Sequence, residues 1–176
     1  MKKHLLPALL LSALLAACAT NGTVQGTSCS AKTDKLASTP LLYSARSGDA
    51  ANVRCLLNAG VNVNEADKGG STALMFAALK GHTDIVRLLL DKGANVNAAT
   101  THGVTALMAA ATQSRADTVR LLLEKGANPN ATDSNGNTAI SLAEKRGFTA
   151  TKEGLTAHAA GHSAIVKMLR AAGAKE

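Results

Sequence analysis

The sequence predicts an all-α solenoid of about four helix-turn-helix repeats, and three observations carry that prediction. Thr39, Thr72, Thr105 and Thr138 recur every 33 residues, and Leu41, Leu74, Leu107 and Ile140 each follow two residues later. Gly60, Gly93 and Gly126 close three copies with the phrases GVNVN, GANVN and GANPN, and Gly173 closes a fourth with GA. Aromatic residues make up 2% of the chain and Trp is absent, so the core must be thin, regular layers of Ala, Leu, Val and Ile. A period of this length implies stacked supersecondary units, none of which buries its apolar face alone.

The chain opens with MKKHLLPALLLSALLAAC, in which a basic start at Lys2, Lys3 and His4 leads into an apolar run from Leu5 to Leu15. Those are the parts of a secretory signal, and the run is shorter than the roughly 20 residues a membrane-spanning helix requires. Leu15-Ala16-Ala17-Cys18 resembles the lipobox of bacterial lipoproteins. The resemblance implies removal of a signal peptide at 1–17, lipidation of the Cys18 thiol and acylation of the new amine. Two or three chains then hold the protein at the membrane. Ala19 stands where inner-membrane members of that family usually carry Asp, which points to the periplasmic side of an outer membrane. Loss of Lys2 and Lys3 takes the formal charge from +7 to +5, a weak preference for acidic partners. Residues 18–38, rich in Thr, Ser and Gly, read as a lipidated N-terminus and flexible linker.

The repeats are expected at about 39–66, 67–99, 100–132 and 133–176. In the second, Leu74, Ala77 and Ala78 share one face of a first helix from Ala73 to Lys80. Ile85, Val86, Leu88, Leu89 and Leu90 mark a more apolar second helix, which Gly93 ends. Asp67, Gly70, Thr72, Leu74, Ala77, Ala78, Gly81, His82, Ile85, Val86, Leu88, Leu89, Leu90, Gly93 and Ala94 fall on the pattern of the ankyrin repeat, which the chain resembles from about Thr39 to Ala174. The resemblance implies paired helices, turns that project as fingers, and first helices lining a concave face. Leu42, Met75, Met108 and Ser141 replace the histidine of the family motif, so packing has to serve where that side chain usually bonds. Glu144 and Arg170, in place of the Ala and Leu of other copies, suit a polar C-terminal cap. Copy four also carries an insertion at about 148–160, FTATKEGLTAHAA, expected as a loop or short extra helix rather than the remnant of a fifth repeat.

No P-loop, G-x-S-x-G, H-E-x-x-H or C-x-x-C pattern occurs, so no enzyme, cofactor or metal site is assigned. His82 and His162 are motif residues two layers apart, too distant to share a metal, and His158 lies in the insertion. For Cys29 and Cys55 two readings stand: a disulfide that pins the linker to repeat one, or a reduced Cys55 on a packed helix face with Cys29 free. The packed position favours the second. A rival function, accessory redox or metal handling in the envelope, rests on Cys29, Cys55 and the histidines.

In ankyrin proteins generally, partners meet the fingers and the exposed ends of the first helices. The resemblance maps that surface onto Arg46 and Ser47, Leu79 and Lys80, Thr112 and Gln113, Lys145 and Arg146, with Lys68, His102 and Asn135 on the fingers. Of the eight helix-end residues four are basic and none acidic, so the expected partner is a protein with an acidic surface, met by a monomer acting as scaffold or inhibitor. Nucleic acid is not expected, because stacking platforms are missing.

Overall fold

The computed structural model describes residues 23–24, 27–33, 39–152 and 156–175, apart from the side chains of 23–28 and 147–159. Among the described residues, two short strands, β1 (Thr23–Val24) and β2 (Thr27–Ser28), pair antiparallel ahead of eight helices. These are α1 (Pro40–Ser47), α2 (Ala50–Asn58), α3 (Ala73–Lys80), α4 (Thr83–Asp91), α5 (Ala106–Thr112), α6 (Ala116–Glu124), α7 (Ala139–Lys152) and α8 (Thr156–Ala171). First helices α1, α3, α5 and α7 pack side by side in one layer, and α2, α4, α6 and α8 form a second layer behind them. The architecture is the all-α ankyrin solenoid that the periodicity predicts.

Each repeat starts at its threonine. The side chains of Thr39, Thr72, Thr105 and Thr138 accept from the backbone N–H of Leu42, Met75, Met108 and Ser141 at 3.3–3.4 Å, satisfying a donor that the first turn leaves without an intrahelical partner. Leu42, Met75 and Met108 are buried, so apolar packing does occupy the place of the missing motif histidine. At Ser141 the hydroxyl instead accepts from the Thr138 N–H at 3.0 Å, a reciprocal cap. Leu41, Leu74, Leu107 and Ile140 stack through the middle of the first layer, all buried.

The N-x-N phrases explain how one repeat holds the next. Asn64 accepts from the Asn95 N–H (2.8 Å) and donates to the Gly93 carbonyl (3.2 Å). Asn97 does the same to Asn128 and Gly126, and Asn130 to Lys175 and Gly173. The last rung spans the insertion without losing register. A second ladder runs along the opposite ends of the first helices. His82 Nε2 donates to the Arg46 carbonyl (3.3 Å), Arg115 Nε to that of Leu79 (3.4 Å), and His162 Nε2 to that of Thr112 (3.4 Å). Gly48 sits in the left-handed region at φ 83°, and the His82 ring lies 2.8 Å from where its Cβ would be, so both backbone and neighbour favour glycine there. His162, 4% exposed, also has Nδ1 2.7 Å from the Ser114 hydroxyl. Both motif histidines therefore tie layers together.

Two expectations are corrected. The Cys29 and Cys55 thiols are not free: they form a disulfide, and Cys55 is half-buried rather than a core thiol. Repeat one has no predecessor to cover α2, so that side of the helix meets the N-terminal segment instead. The described residues of the insertion, 148–152 and 156–160, are helical and prolong the two helices of repeat four: α7 runs on through Gly147 to Lys152 and α8 starts at Thr156. The segment contains no proline, and its Ala and Lys residues favour helix, so Gly147 does not end α7 as Gly48 and Gly81 end α1 and α3. The cap expected at the C-terminal end is present: Arg170 and Glu144, both largely exposed, pair at 3.0 Å across α7 and α8.

Candidate partner-binding face

The side chains left uncovered on the first-helix layer recur with the period of the core. Tyr43, Phe76, Ala109 and Leu142 occupy equivalent positions on α1, α3, α5 and α7, each half-buried. They form an apolar row between the fingers at the N-terminal ends of these helices and the polar residues at their C-terminal ends. Two of the chain's three aromatic residues lie in it. Sequence reasoning mapped the helix ends and passed over this row: the spacing of 33 residues makes the four positions equivalent but does not show that they are half-covered.

The expected contact residues are dispersed along this face. Arg46 and Lys80 come together, lining with Tyr43 and Ser47 a depression of about 270 Å³ between α1 and α3. Leu79 is half-buried beside it, and Gln113 is exposed at the end of α5. Thr112 is committed elsewhere, its hydroxyl donating to the Met108 carbonyl at 2.8 Å. Lys145 donates to the Asn137 side chain and so braces a finger; Arg146 is exposed on α7. Lys68 and His102 are exposed at finger tips. Cys18 lies outside the described residues.

Each finger is shaped by one side chain. The Asp67 carboxylate accepts from the N–H groups of Gly69 (2.9 Å) and Ser71 (2.8 Å), and Asp133 from those of Asn135 (2.9 Å) and Asn137 (2.8 Å). In the middle finger Thr100 Oγ1 takes this part with His102 and Val104, at 3.3 and 3.1 Å. Fingers are then joined in series, Thr101 N–H to the Gly69 carbonyl (2.9 Å) and Ser134 N–H to that of His102 (2.8 Å). Lys68 and His102 are thus presented on a preorganised backbone.

The Asn137 side-chain amide, then the Asn137 N–H, and to a lesser degree the Asn135 N–H and the Lys145 ammonium hold the Asp133 carboxyl below its ordinary value of 3.8. A carboxyl depressed in the folded state contributes stability above its unfolded value and loses that contribution as pH falls through the folded one. Wild type is therefore expected to melt above Asp133→Asn at neutral pH, with the gap closing as acid titration passes below 3.8. Melting curves of the two proteins across an acid series check this.

Among the described residues, no group of three or more His, Cys, Asp or Glu is placed to hold a metal ion, and no helix is long and apolar enough to cross a membrane. Two family profiles match the sequence: ankyrin repeats (3 copies) over residues 13–100, and ankyrin repeats (many copies) over residues 89–143. The chain belongs to the ankyrin-repeat family. No curated protein matches it. Ankyrin repeats are typically interaction modules rather than enzymes.

Proposed function

We propose that this chain is a non-catalytic binding module of the bacterial envelope, anchored by lipid at Cys18, that grips an acidic protein on its first-helix face as scaffold or inhibitor. The observation that carries the reading is the conjunction of Tyr43, Arg46, Ser47 and Lys80 around one depression, with Phe76 half-buried one turn before Lys80 on α3. Aromatic anchors in half-covered positions are the side chains that dominate binding energies, while flanking cations steer the approach and set register. An ankyrin stack suits this task because its rigid layers hold the contact residues in place before the partner arrives, which reduces the entropy lost on binding.

The test is photocrosslinking in intact cells, with a photoreactive residue at position 80 or 113, followed by affinity measurement with the captured protein. Phe76→Ala is expected to weaken binding at least about thirtyfold and Lys80→Glu about tenfold, with folding unchanged by circular dichroism. Equal affinity of both variants and wild type would remove the first-helix face from the reading. Anchoring is tested separately: palmitate labelling and recovery in the membrane fraction should both disappear in Cys18→Ala.

A further inference from the structure

The first repeat differs from the others at the two α2 positions that meet the N-terminal segment. Asn52 corresponds to Ile85, Thr118 and Ile165 in the later repeats, and Cys55 to Leu88, Leu121 and Met168. The Thr118 hydroxyl sits 2.9 Å from that of Thr83 in the repeat before it, so this helix position faces the preceding layer. In repeat one that layer is absent, and residues 29–30 take its place. The Ser30 N–H donates to Asn52 Oδ1 (2.7 Å), and Asn52 Nδ2 donates to the Ser30 carbonyl (3.0 Å) and to the Ser44 hydroxyl (2.7 Å). Asn52 is 8% exposed and Ser44 1%, and Ser44 in turn donates to the Pro40 carbonyl at 2.7 Å. One side chain thus joins the N-terminal segment, α2 and α1. Cys29 packs against the core and is bonded to Cys55, 26 residues away.

We propose that the Cys29–Cys55 disulfide is a redox latch on repeat one, holding residues 29–30 as a substitute for the missing layer and thereby holding α1 in its binding-competent place. A dithiol reductant opens it: two electrons and two protons pass to the pair, the S–S bond becomes the Cys29 and Cys55 thiols, and the reductant becomes a disulfide. Both cysteines are half-buried rather than enclosed in the core. Once the segment is released, Asn52 exchanges two backbone partners for water and its bond to Ser44 weakens. In a stack whose repeats touch only their neighbours, this loss falls on the terminal repeat. The part bearing Tyr43 and Arg46 is then the part that frays. The effect on partner binding rests on the function proposed above; the latch itself does not.

Hydrogen exchange on the full chain, oxidised and after treatment with a dithiol reductant, tests the latch. Amides of α1 and α2 are expected to exchange at least about tenfold faster when reduced, with those of α5 and α6 within about twofold. Cys29→Ser under oxidising conditions should reproduce the reduced pattern, and the wild-type comparison decides the matter if that variant does not fold. Equal exchange of α1 and α2 in both states overturns the latch, as does a uniform acceleration of all helices, which would make the disulfide a support of the whole stack. Photocrosslinking at position 80 in the two redox states separates the two ideas. Capture lost on reduction supports both. A redox-dependent exchange pattern with no capture in either state leaves the latch standing and removes the binding function, whereas capture that is equal in both states shows that repeat one is not gated.

Discussion

Replacement of Leu107 by Ala is expected to destabilise the protein by about 3–4 kcal/mol, more than any change on its surface. Leu107 is 1% exposed in α5, stacked between the equivalent Leu74 of α3 and Ile140 of α7. Ala106, Ala110 and Ala111, the buried alanines of the same helix, are too short to fill the void. The position matters as well as the size. A solenoid is stabilised by nearest-neighbour interfaces, so a lesion in the third repeat weakens two of them at once. What remains is the unit of repeats one and two and, on the far side, a single repeat with a polar cap. The expected urea transition therefore moves to lower denaturant and also broadens as the two parts uncouple. Leu56→Ala in the first repeat, with a neighbouring repeat on one side only, is the comparison. Equal losses at the two positions would show that the chain unfolds as one block.

How much of this was legible in the sequence follows from the range of each interaction. Thr caps, helix-ending glycines and core leucines act within one repeat, so the period alone locates them. The asparagine ladder was visible as the phrases GVNVN, GANVN and GANPN, but its purpose was not, because each Asn bonds a loop of the next repeat. The disulfide is hidden for a related reason. Position 55 corresponds to Leu88, half-buried, and Leu121, buried, so a packed apolar side chain is expected there; the first repeat has no earlier layer, and Cys55 meets Cys29 instead. The insertion reads as a loop or short extra helix because Thr156 to Gly161 is too short for a full first helix; that spacing does not show that residues beyond Gly147 prolong α7 itself. As to the binding face, the basic helix ends were readable from the resemblance, whereas Tyr43, Phe76 and Leu142 emerged only when burial showed them half-exposed in one row. Half-burial is a property of the layers, and no periodicity distinguishes it from full burial.

Gly103→Ala is expected to cost about 2–3 kcal/mol, with Gly136→Ala nearer 1 kcal/mol. The two glycines hold the same place in consecutive fingers and nearly the same left-handed backbone, φ 76° and 74°. Any side chain at either pays the steric penalty of that conformation. Only at Gly103 is there a second obstacle, because an added Cβ would stand 2.9 Å from the Thr132 carbonyl oxygen and 3.0 Å from the Asp133 Cα. Those are backbone atoms of the next finger, held by the Ser134 N–H to His102 carbonyl bond, and they cannot rotate away as a side chain would. At Gly136 nothing lies within 4 Å, since no later finger covers it. The difference between the two variants in chemical denaturation therefore isolates finger-to-finger contact from backbone strain. A displaced third finger would also shift His102 away from the face it helps to form, so Gly103→Ala should weaken partner binding while Gly136→Ala leaves it unchanged. Similar losses at both sites would mean that the fingers give way independently and that their serial bonding contributes little to the rigidity of the binding face.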